Sequence, residues 1–194
     1  LRALGYSTRE EIIRAFYDVE KVDVKDSTEE KEALVGKVLA DAVFAKDLES
    51  GEEKRIYRAG EKLHPHDVDE LILHGVTEIT VIKFDSESSL DSQMIINCFE
   101  REDIRFTKEG SEEPSKEDAI SAVYAVLMPG EPITVEAAEK DLTSMFFSFR
   151  RYDLGRVGRY KLNKKFNYET PFETHTLEKD DIIETMKNLI KVYI

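Results

Sequence analysis

Residues 129–165 read PGEPITVEAAEKDLTSMFFSFRRYDLGRVGRYKLNKK, and they decide how the rest of the chain is interpreted. Proline fixes φ and glycine tolerates positive φ, so the first four residues predict a turn. Thr134 is typical of a helix N-cap, and the apolar residues after it recur at helical spacing. Phe146, Phe147 and Phe149 then form the densest apolar cluster of the chain. We therefore expect a helix that ends in core-forming aromatic residues.

A run of basic residues follows this cluster at once. This run, residues 150–165, contains one acidic residue, Asp153. Its basic residues are Arg150, Arg151, Arg156, Arg159, Lys161, Lys164 and Lys165. Such groups, interleaved with Tyr152 and Tyr160, suit a surface that contacts a DNA or RNA backbone. The alternative is structural, with Arg151, Asp153 and Arg159 in bidentate pairs that hold a turn against its neighbours. The sequence leaves both interpretations open.

Short motifs follow one another in this stretch in a fixed order: P-G-E-P, E-A-A, F-F, R-Y-D-L and V-G-R-Y-K-L-N-K. Further motifs are L-R-A-L-G-Y at residues 1–6 and D-D-I-I-E-T-M-K-N-L-I at residues 180–190. This order resembles the β subunit of bacterial DNA-directed RNA polymerase, in the part called the lobe. One departure is Met128, where many family members carry arginine, so a polar contact made by that arginine is not expected here.

The resemblance implies a non-catalytic part of a polymerase β subunit, which acts in transcription and forms one wall of the downstream DNA cleft. The seven basic residues of 150–165 are then the DNA-facing candidates. The implied partners are DNA and the other polymerase subunits, β′, α and σ. The magnesium-binding aspartate motif of this nucleotidyltransferase belongs to its other large subunit. No catalytic residue, metal or cofactor is therefore expected in this piece of the enzyme.

The order of helix and strand signals predicts an α+β fold. We expect a helical lobe portion from residues 1–33 and 115–194, a mostly β inserted module from 34–84, and a connecting segment from 85–114. The module contains G-x-V-L-A-x-x-V, G-E, A-G-E-x-L and G-V-x-E-I. These motifs resemble the small ββ′ module that is often inserted in the lobe, which implies an outer surface for regulators. Polar residues at 26–32 and 85–92 are interpreted as linkers.

Capping and turn signals place further elements. Helix starts are predicted at Ser7 or Thr8, at Pro65, and at Ser115. Glycine at position 75 suits the left-handed residue that ends the second of these helices. Residues 49–52 predict a hairpin turn between two strands, and residues 180–193 predict a terminal helix. The apolar stretch 94–99 fits either a strand or a helix.

Composition limits the classes of function. The 194 residues carry a net charge of −13, from 28 basic and 41 acidic side chains. Phosphate repels this acidic majority, which excludes a nucleic-acid binder that uses its whole surface but not a single DNA-facing edge. No apolar run approaches the length of about 20 residues that a membrane span needs. The single cysteine, Cys98, suits a reducing compartment, and we expect a cytoplasmic protein.

Two other interpretations compete with the polymerase resemblance. His64 and His66 lie near Asp67 and Asp69, as in a metal hydrolase, but no HExxH or paired-cysteine pattern accompanies them. We interpret these residues as structural, at the start of a helix. The second alternative is a free-standing acidic module that binds other proteins. A first residue inside L-R-A-L-G-Y and a last residue inside an apolar helix favour a piece of a longer chain.

Overall fold

The computed structural model describes residues 1–46, 51–84, 91–106, 113–130 and 134–192. The helices are α1 (Arg9–Phe16), α2 (Thr28–Leu34), α3 (Pro65–Leu73), α4 (Asp91–Phe106), α5 (Lys116–Leu127), α6 (Val135–Phe147), α7 (Gly155–Phe166) and α8 (Lys179–Val192). The strands are β1 (Asp18–Asp23), β2 (Val43–Lys46), β3 (Glu53–Tyr57) and β4 (Glu78–Lys83). They form two antiparallel pairs, β1 with β4 and β2 with β3. The predicted α+β fold is confirmed. Within the described residues, no helix is both long enough and apolar enough to cross a membrane.

The chain folds into two compact units. The flanking unit consists of Leu1–Ser7 and Arg101–Ile194, and the inserted unit is Thr8–Glu100. The structure therefore divides the chain at different residues from the predicted boundaries at 33 and 84. Strand β1 explains the difference at the first boundary, because it pairs with β4 along its whole length, from Asp18 opposite Lys83 to Asp23 opposite Glu78. Its backbone donors and acceptors need that partner, so residues 18–23 belong with the predicted module.

Local capping starts the helices of the inserted unit. The Thr8 hydroxyl accepts a hydrogen bond from the Glu11 N–H, and the Glu11 carboxylate accepts one from the Thr8 N–H, which together form a capping box. Pro65 occupies the first position of α3, and Gly75 follows this helix with a φ of +70°. These three predictions are confirmed. The core of the unit contains Val24, Leu34, Leu39, Val43, Tyr57, Leu63, Val68, Leu71, Ile79 and Val81.

Helix α2 replaces the linker predicted at residues 26–32. The Ser27 hydroxyl accepts a hydrogen bond from the Glu30 N–H at 3.3 Å, which caps the helix. Leu34 at its end is buried in the core, so this charged segment has one apolar anchor. The stretch 94–99, whose sequence fits either a strand or a helix, is helical and lies in α4. That helix begins at Asp91. The rest of the predicted linker, 85–90, and half of the predicted hairpin turn, 49–50, lie outside the described residues.

The flanking unit has its own small core. Ile120 and Tyr124 of α5 pack with Ala138 and Leu142 of α6, and Ala3 packs against them. The predicted caps are confirmed, since Ser115 begins α5 and Thr134 begins α6. The aromatic cluster behaves differently from the prediction: Phe146 and Phe147 are half-buried, and Phe149 is 62% exposed. Phe149 lies after the end of α6, where the helix no longer directs its side chain toward the core.

Candidate nucleic-acid interface

Helix α7 carries most of the basic run. It begins at Gly155, whose N–H donates a hydrogen bond of 2.8 Å to the Asp153 carboxylate. It ends at Phe166, and the next residue, Asn167, adopts the left-handed conformation with a φ of +57° and donates its N–H to the Asn163 carbonyl. Asparagine is one of the few residues besides glycine that takes this conformation readily. The basic residues therefore stand on a helix, where residues three and four apart share a face.

Arg159 lies on the buried face of α7, with 0% of its side chain exposed. Its Nη1 donates to Asp181 Oδ1 at 2.9 Å, its Nε donates to the Thr174 carbonyl at 3.0 Å, and its Nη2 donates to the Thr176 carbonyl. All three guanidinium nitrogens are thus occupied inside the protein. The prediction of Arg159 as a DNA-facing residue is wrong, because its charge is not available to a phosphate. The structural alternative holds for it, with Asp181 rather than Asp153 as the partner.

Asp181 was not recognised from the sequence. It is the third residue of α8, where its Oδ2 accepts a hydrogen bond of 2.8 Å from the Glu178 N–H. This is the backbone half of a capping box, and the spacing of 178 and 181 is the sequence signal for it. Asn163, one turn after Arg159, is also buried and donates from Nδ2 to the Thr170 carbonyl at 2.6 Å. The buried face of α7 therefore holds the loop 167–178 and the start of α8.

The opposite face of α7 is exposed. Its exposed side chains are Arg156, Val157, Tyr160, Lys161, Lys164 and Lys165. Arg150 and Arg151 are exposed in the segment before the helix. Arg156 lies 3.7 Å from the Glu173 carboxylate. Both side chains are open to solvent, so this ion pair contributes little to the stability of the fold. Six of the seven candidate residues thus present their charges to solvent.

Aromatic side chains lie among these charges. The rings of Tyr160 and Phe172 are 6.2 Å apart, and both are exposed. Lys165 places its ammonium group 5.7 Å from the centre of the Phe166 ring. Tyr168 is less accessible, and burial together with the carboxylate of Glu184 raises its pKa to about 12, so its hydroxyl stays neutral at physiological pH. The exposed face of α7 therefore combines positive charge with aromatic surface.

His64 and His66, the two histidines that suggested a metal site, lie beside a carboxylate. Asp67 of the inserted unit lies 3.2 Å from His64 Nδ1 and 2.9 Å from His66 Nε2. It also accepts the His64 N–H at 2.7 Å, which caps α3, and the Tyr57 hydroxyl at 3.1 Å. Burial opposes ionisation of this carboxyl, but the hydrogen bonds outweigh burial and leave the pKa of Asp67 below its usual value. Within the described ranges, no three or more His, Cys, Asp or Glu side chains are arranged to hold a metal ion.

Comparison with known proteins identifies the relatives of this chain. The family model described as RNA polymerase Rpb2, domain 2, matches residues 66–194. Over the whole chain, the sequence is 54% identical to the DNA-directed RNA polymerase subunit beta of Treponema denticola and 53% identical to that of Treponema pallidum. It is 44% identical to the corresponding subunit of Borreliella burgdorferi. The chain covers 17%, 16% and 16% of the lengths of these three relatives.

The motifs at 1–6, 129–165 and 180–190 all lie within the region that aligns, which covers the whole chain. The residues that the family model matches, 66–194, include α7 and its buried Arg159. The chain belongs to the family of DNA-directed RNA polymerase β subunits, of which it spans about one sixth.

Proposed function

We propose that this chain is a non-catalytic part of a polymerase β subunit and lines the downstream DNA cleft during transcription. In this proposal the exposed face of α7 contacts the phosphate backbone of DNA. Backbone contacts of this kind position a protein on DNA and do not read its sequence. The chain acts within the assembled polymerase, together with the β′, α and σ subunits, and the chemical step takes place elsewhere in the enzyme.

The observation that carries the proposal is the division of charge on α7. Arg159 is buried by its pairing with Asp181, whereas Lys161, Lys164 and Lys165 are exposed on the other side of the helix. The buried pair fixes the rotation of the helix, and so it fixes the direction in which the lysines point. An exposed row of positive charge on a chain with a net charge of −13 supports a local electrostatic contact with an anion.

We also propose that the inserted unit offers an outer surface to proteins that regulate transcription. Two large apolar side chains support this proposal, since Phe44 is 55% exposed and Leu73 is 68% exposed. Aromatic and aliphatic groups of this kind are common anchors of protein interfaces. We expect that a polymerase with Phe44→Ser and Leu73→Ser no longer responds to a regulator of transcription. Its activity in the absence of the regulator should be unchanged. An unchanged response to every regulator of the polymerase would remove this part of the proposal.

The DNA contact is tested in the assembled polymerase with a β subunit that carries Lys161→Ala, Lys164→Ala and Lys165→Ala. Binding to a downstream DNA duplex is measured over a series of salt concentrations. Each phosphate contact contributes about 0.9 to the slope of log K against log salt, so the slope should become shallower by about that amount for each lysine that contacts a phosphate. The rate of nucleotide addition at saturating DNA should be unchanged, because none of the three side chains takes part in the chemical step.

The matched control carries Lys21→Ala, Lys25→Ala and Lys54→Ala, three exposed lysines of the inserted unit. This variant changes the net charge by the same amount, so it reports the effect of total charge alone. The proposal requires a larger change of slope in the α7 variant than in the control. Equal slopes in the two variants would show that the α7 lysines do not contact DNA.

A further inference from the structure

A cavity of about 550 Å³ borders the basic face of α7, within the flanking unit. Helix α7 lines one side of it with Tyr160, Asn163 and Lys164, and the segment 167–173 lines the other side. Its volume lies within the range of about 300–1,000 Å³ that is usual for sites that bind small molecules. The lysines of α7 therefore stand beside a concave surface, which a contact with phosphate alone does not require.

Two aromatic rings lie in the wall of this cavity. Tyr160 and Phe172 are 52% and 43% exposed, and their ring centres are 6.2 Å apart with an angle of 52° between the ring planes. Both rings lie outside the core that α5 and α6 form. Bases of unpaired nucleic acids stack on aromatic side chains of this kind, because every base has a flat π surface. The pair thus offers a stacking surface to a planar ligand.

Buried polar contacts hold the backbone around Phe172 in place. Asn163 is 8% exposed, and its Nδ2 donates to the Thr170 carbonyl at 2.6 Å. On the other side of Phe172, Arg159 Nε donates to the Thr174 carbonyl at 3.0 Å. The buried face of α7 therefore fixes the segment that carries this ring at two points. A site that is already formed before its ligand arrives loses less conformational freedom on binding.

The charges around the cavity favour one kind of ligand. Lys164 lines the cavity, and Lys161 and Arg156 are exposed on the same helix. Glu169 and Glu173 also line the cavity, and their carboxylates repel a phosphate group that enters it. A neutral base is not repelled, and the amino group of a base can donate a hydrogen bond to a carboxylate. The arrangement therefore suits a base inside the cavity and the phosphates of the same strand outside it, beside the lysines.

We propose that this cavity binds one unpaired base of a DNA strand, which stacks on Phe172 and Tyr160 while neighbouring phosphates contact the lysines of α7. Copying a template requires that its bases are unpaired, so a DNA-directed RNA polymerase holds such bases when it transcribes. Stacking is tolerant of sequence, so binding should depend little on which base enters. This inference rests on the proposed contact of α7 with DNA, and it adds a base to the contacts with the backbone.

The test compares DNA binding by assembled polymerases whose β subunit is wild type, Phe172→Ala or Phe172→Tyr. The DNA contains a bubble of unpaired nucleotides and is bound without RNA, and each unpaired base in turn is replaced by an abasic site. At one position, the abasic site should lower the affinity of the wild-type enzyme at least about fivefold, as expected for the loss of one stacked base. The same abasic site should have no effect with Phe172→Ala, and Phe172→Tyr should behave as the wild type because it keeps the ring.

Phe149→Ala is the matched control, because Phe149 is an exposed ring of the same unit that does not line the cavity. It should retain the wild-type response to every abasic site. Salt separates the base contact from the backbone contact, since Phe172→Ala removes no charge and should leave the slope of log K against log salt unchanged. A shallower slope for the α7 lysine variant, with wild-type abasic responses for Phe172→Ala, would keep the backbone contact and refute the base contact.

Three results would overturn the proposal. The same response to every abasic site with wild-type β and Phe172→Ala would show that no base stacks on this ring. An equal loss of affinity of Phe172→Ala for the bubble and for a fully paired duplex would show that the ring contacts paired DNA. Unchanged DNA binding by Phe172→Ala, together with weaker retention of another subunit, would assign the cavity to a protein partner.

Discussion

Arg159 and Asp181 form an ion pair of 2.9 Å in which the two side chains are 0% and 1% exposed. The pair joins the middle of α7 to the first turn of α8, and each partner makes further hydrogen bonds to backbone groups. Removing two charges from water is costly, and good geometry with additional hydrogen bonds is what compensates for that cost. The pair therefore fixes one arrangement of the two helices, and the exposed lysines of α7 depend on it.

Arg159→Ala should destabilise the protein by about 3–5 kcal/mol, because it leaves the Asp181 carboxylate buried without its partner. Urea unfolding followed by circular dichroism measures this loss. Arg156→Ala is the control on the same helix, and it should stay within about 0.5 kcal/mol of the wild-type protein because Arg156 is exposed. A combined Arg159→Met and Asp181→Leu variant should be more stable than Arg159→Ala. A loss of the same size in both single variants would contradict a structural role that is specific to Arg159.

Leu142→Ala should destabilise the flanking unit by about 2–5 kcal/mol, since it removes a buried side chain that packs with Ile120 and Tyr124. Phe149→Ala should cost less than about 1 kcal/mol, because that ring is mostly exposed. Hydrogen exchange of the α6 amides measures both effects in the same segment. A larger loss for Phe149→Ala than for Leu142→Ala would place the core at the aromatic cluster, as the sequence suggested, and not on α5 and α6.

Replacing residues 8–100 with a Gly/Ser linker between Ser7 and Arg101 should leave a folded flanking unit. The reason is that the contacts of each compact unit lie mainly within it. Closing the chain with a short linker should cost little free energy, because the entropy of loop closure grows slowly with length. Cooperative thermal unfolding of the deletion protein is the measurement. A deletion of residues 34–84 instead should fail to fold, since it leaves β1 without β4. If the protein lacking 34–84 folds and the protein lacking 8–100 does not, the predicted boundaries are right and the division at residues 8 and 100 is wrong.

Asp67 gives a pH dependence to the inserted unit. Its pKa is lower in the folded protein than its usual value, so ionised Asp67 stabilises the fold above that usual value, about pH 4, and this stabilisation is lost as the pH falls through the folded pKa. Asp67→Asn should cost about 1.5–3 kcal/mol at pH 7, because it removes a charged hydrogen-bond acceptor.

The difference between wild type and Asp67→Asn should shrink as the pH is lowered below about 4. Asp69→Asn on the same helix is the control, since Asp69 is exposed. Urea unfolding of both variants between pH 3 and pH 7, with hydrogen exchange of α3, separates the two residues. A difference between wild type and Asp67→Asn that is constant over this range would show that the charge of Asp67 does not matter.

Sequence reasoning identified interactions between residues that are close along the chain. The caps at Thr8, Ser115 and Thr134 were predictable because each hydroxyl bonds a backbone N–H three residues later. Pairings between distant residues were not predictable. Arg159 meets a partner 22 residues away, and its burial depends on that meeting. Without the fold, a buried arginine and an exposed one look alike within a basic run.

The same reason explains where the inserted unit differs from the prediction. Strand β1 was assigned to the helical lobe portion because its partner, β4, lies far along the chain, and the cross-strand pair of Lys21 and Glu78 is separated by 57 residues. Helix α2 was interpreted as a linker because its residues are mostly charged, and Leu34 alone anchors it in the core. The fold class followed from patterns of adjacent residues, whereas the boundaries of the units required the strand pairing.

A photo-crosslinking measurement tests most directly whether the exposed face of α7 contacts DNA. A photoreactive amino acid replaces Val157 in the β subunit of the assembled polymerase, and the same group replaces Leu73 in a matched control. Both native side chains are 68% exposed, so exposure does not distinguish the two positions. We predict that irradiation of a transcribing complex links position 157 to DNA and leaves position 73 at background. No link from position 157, or links of equal yield from both positions, would contradict the proposed role of α7.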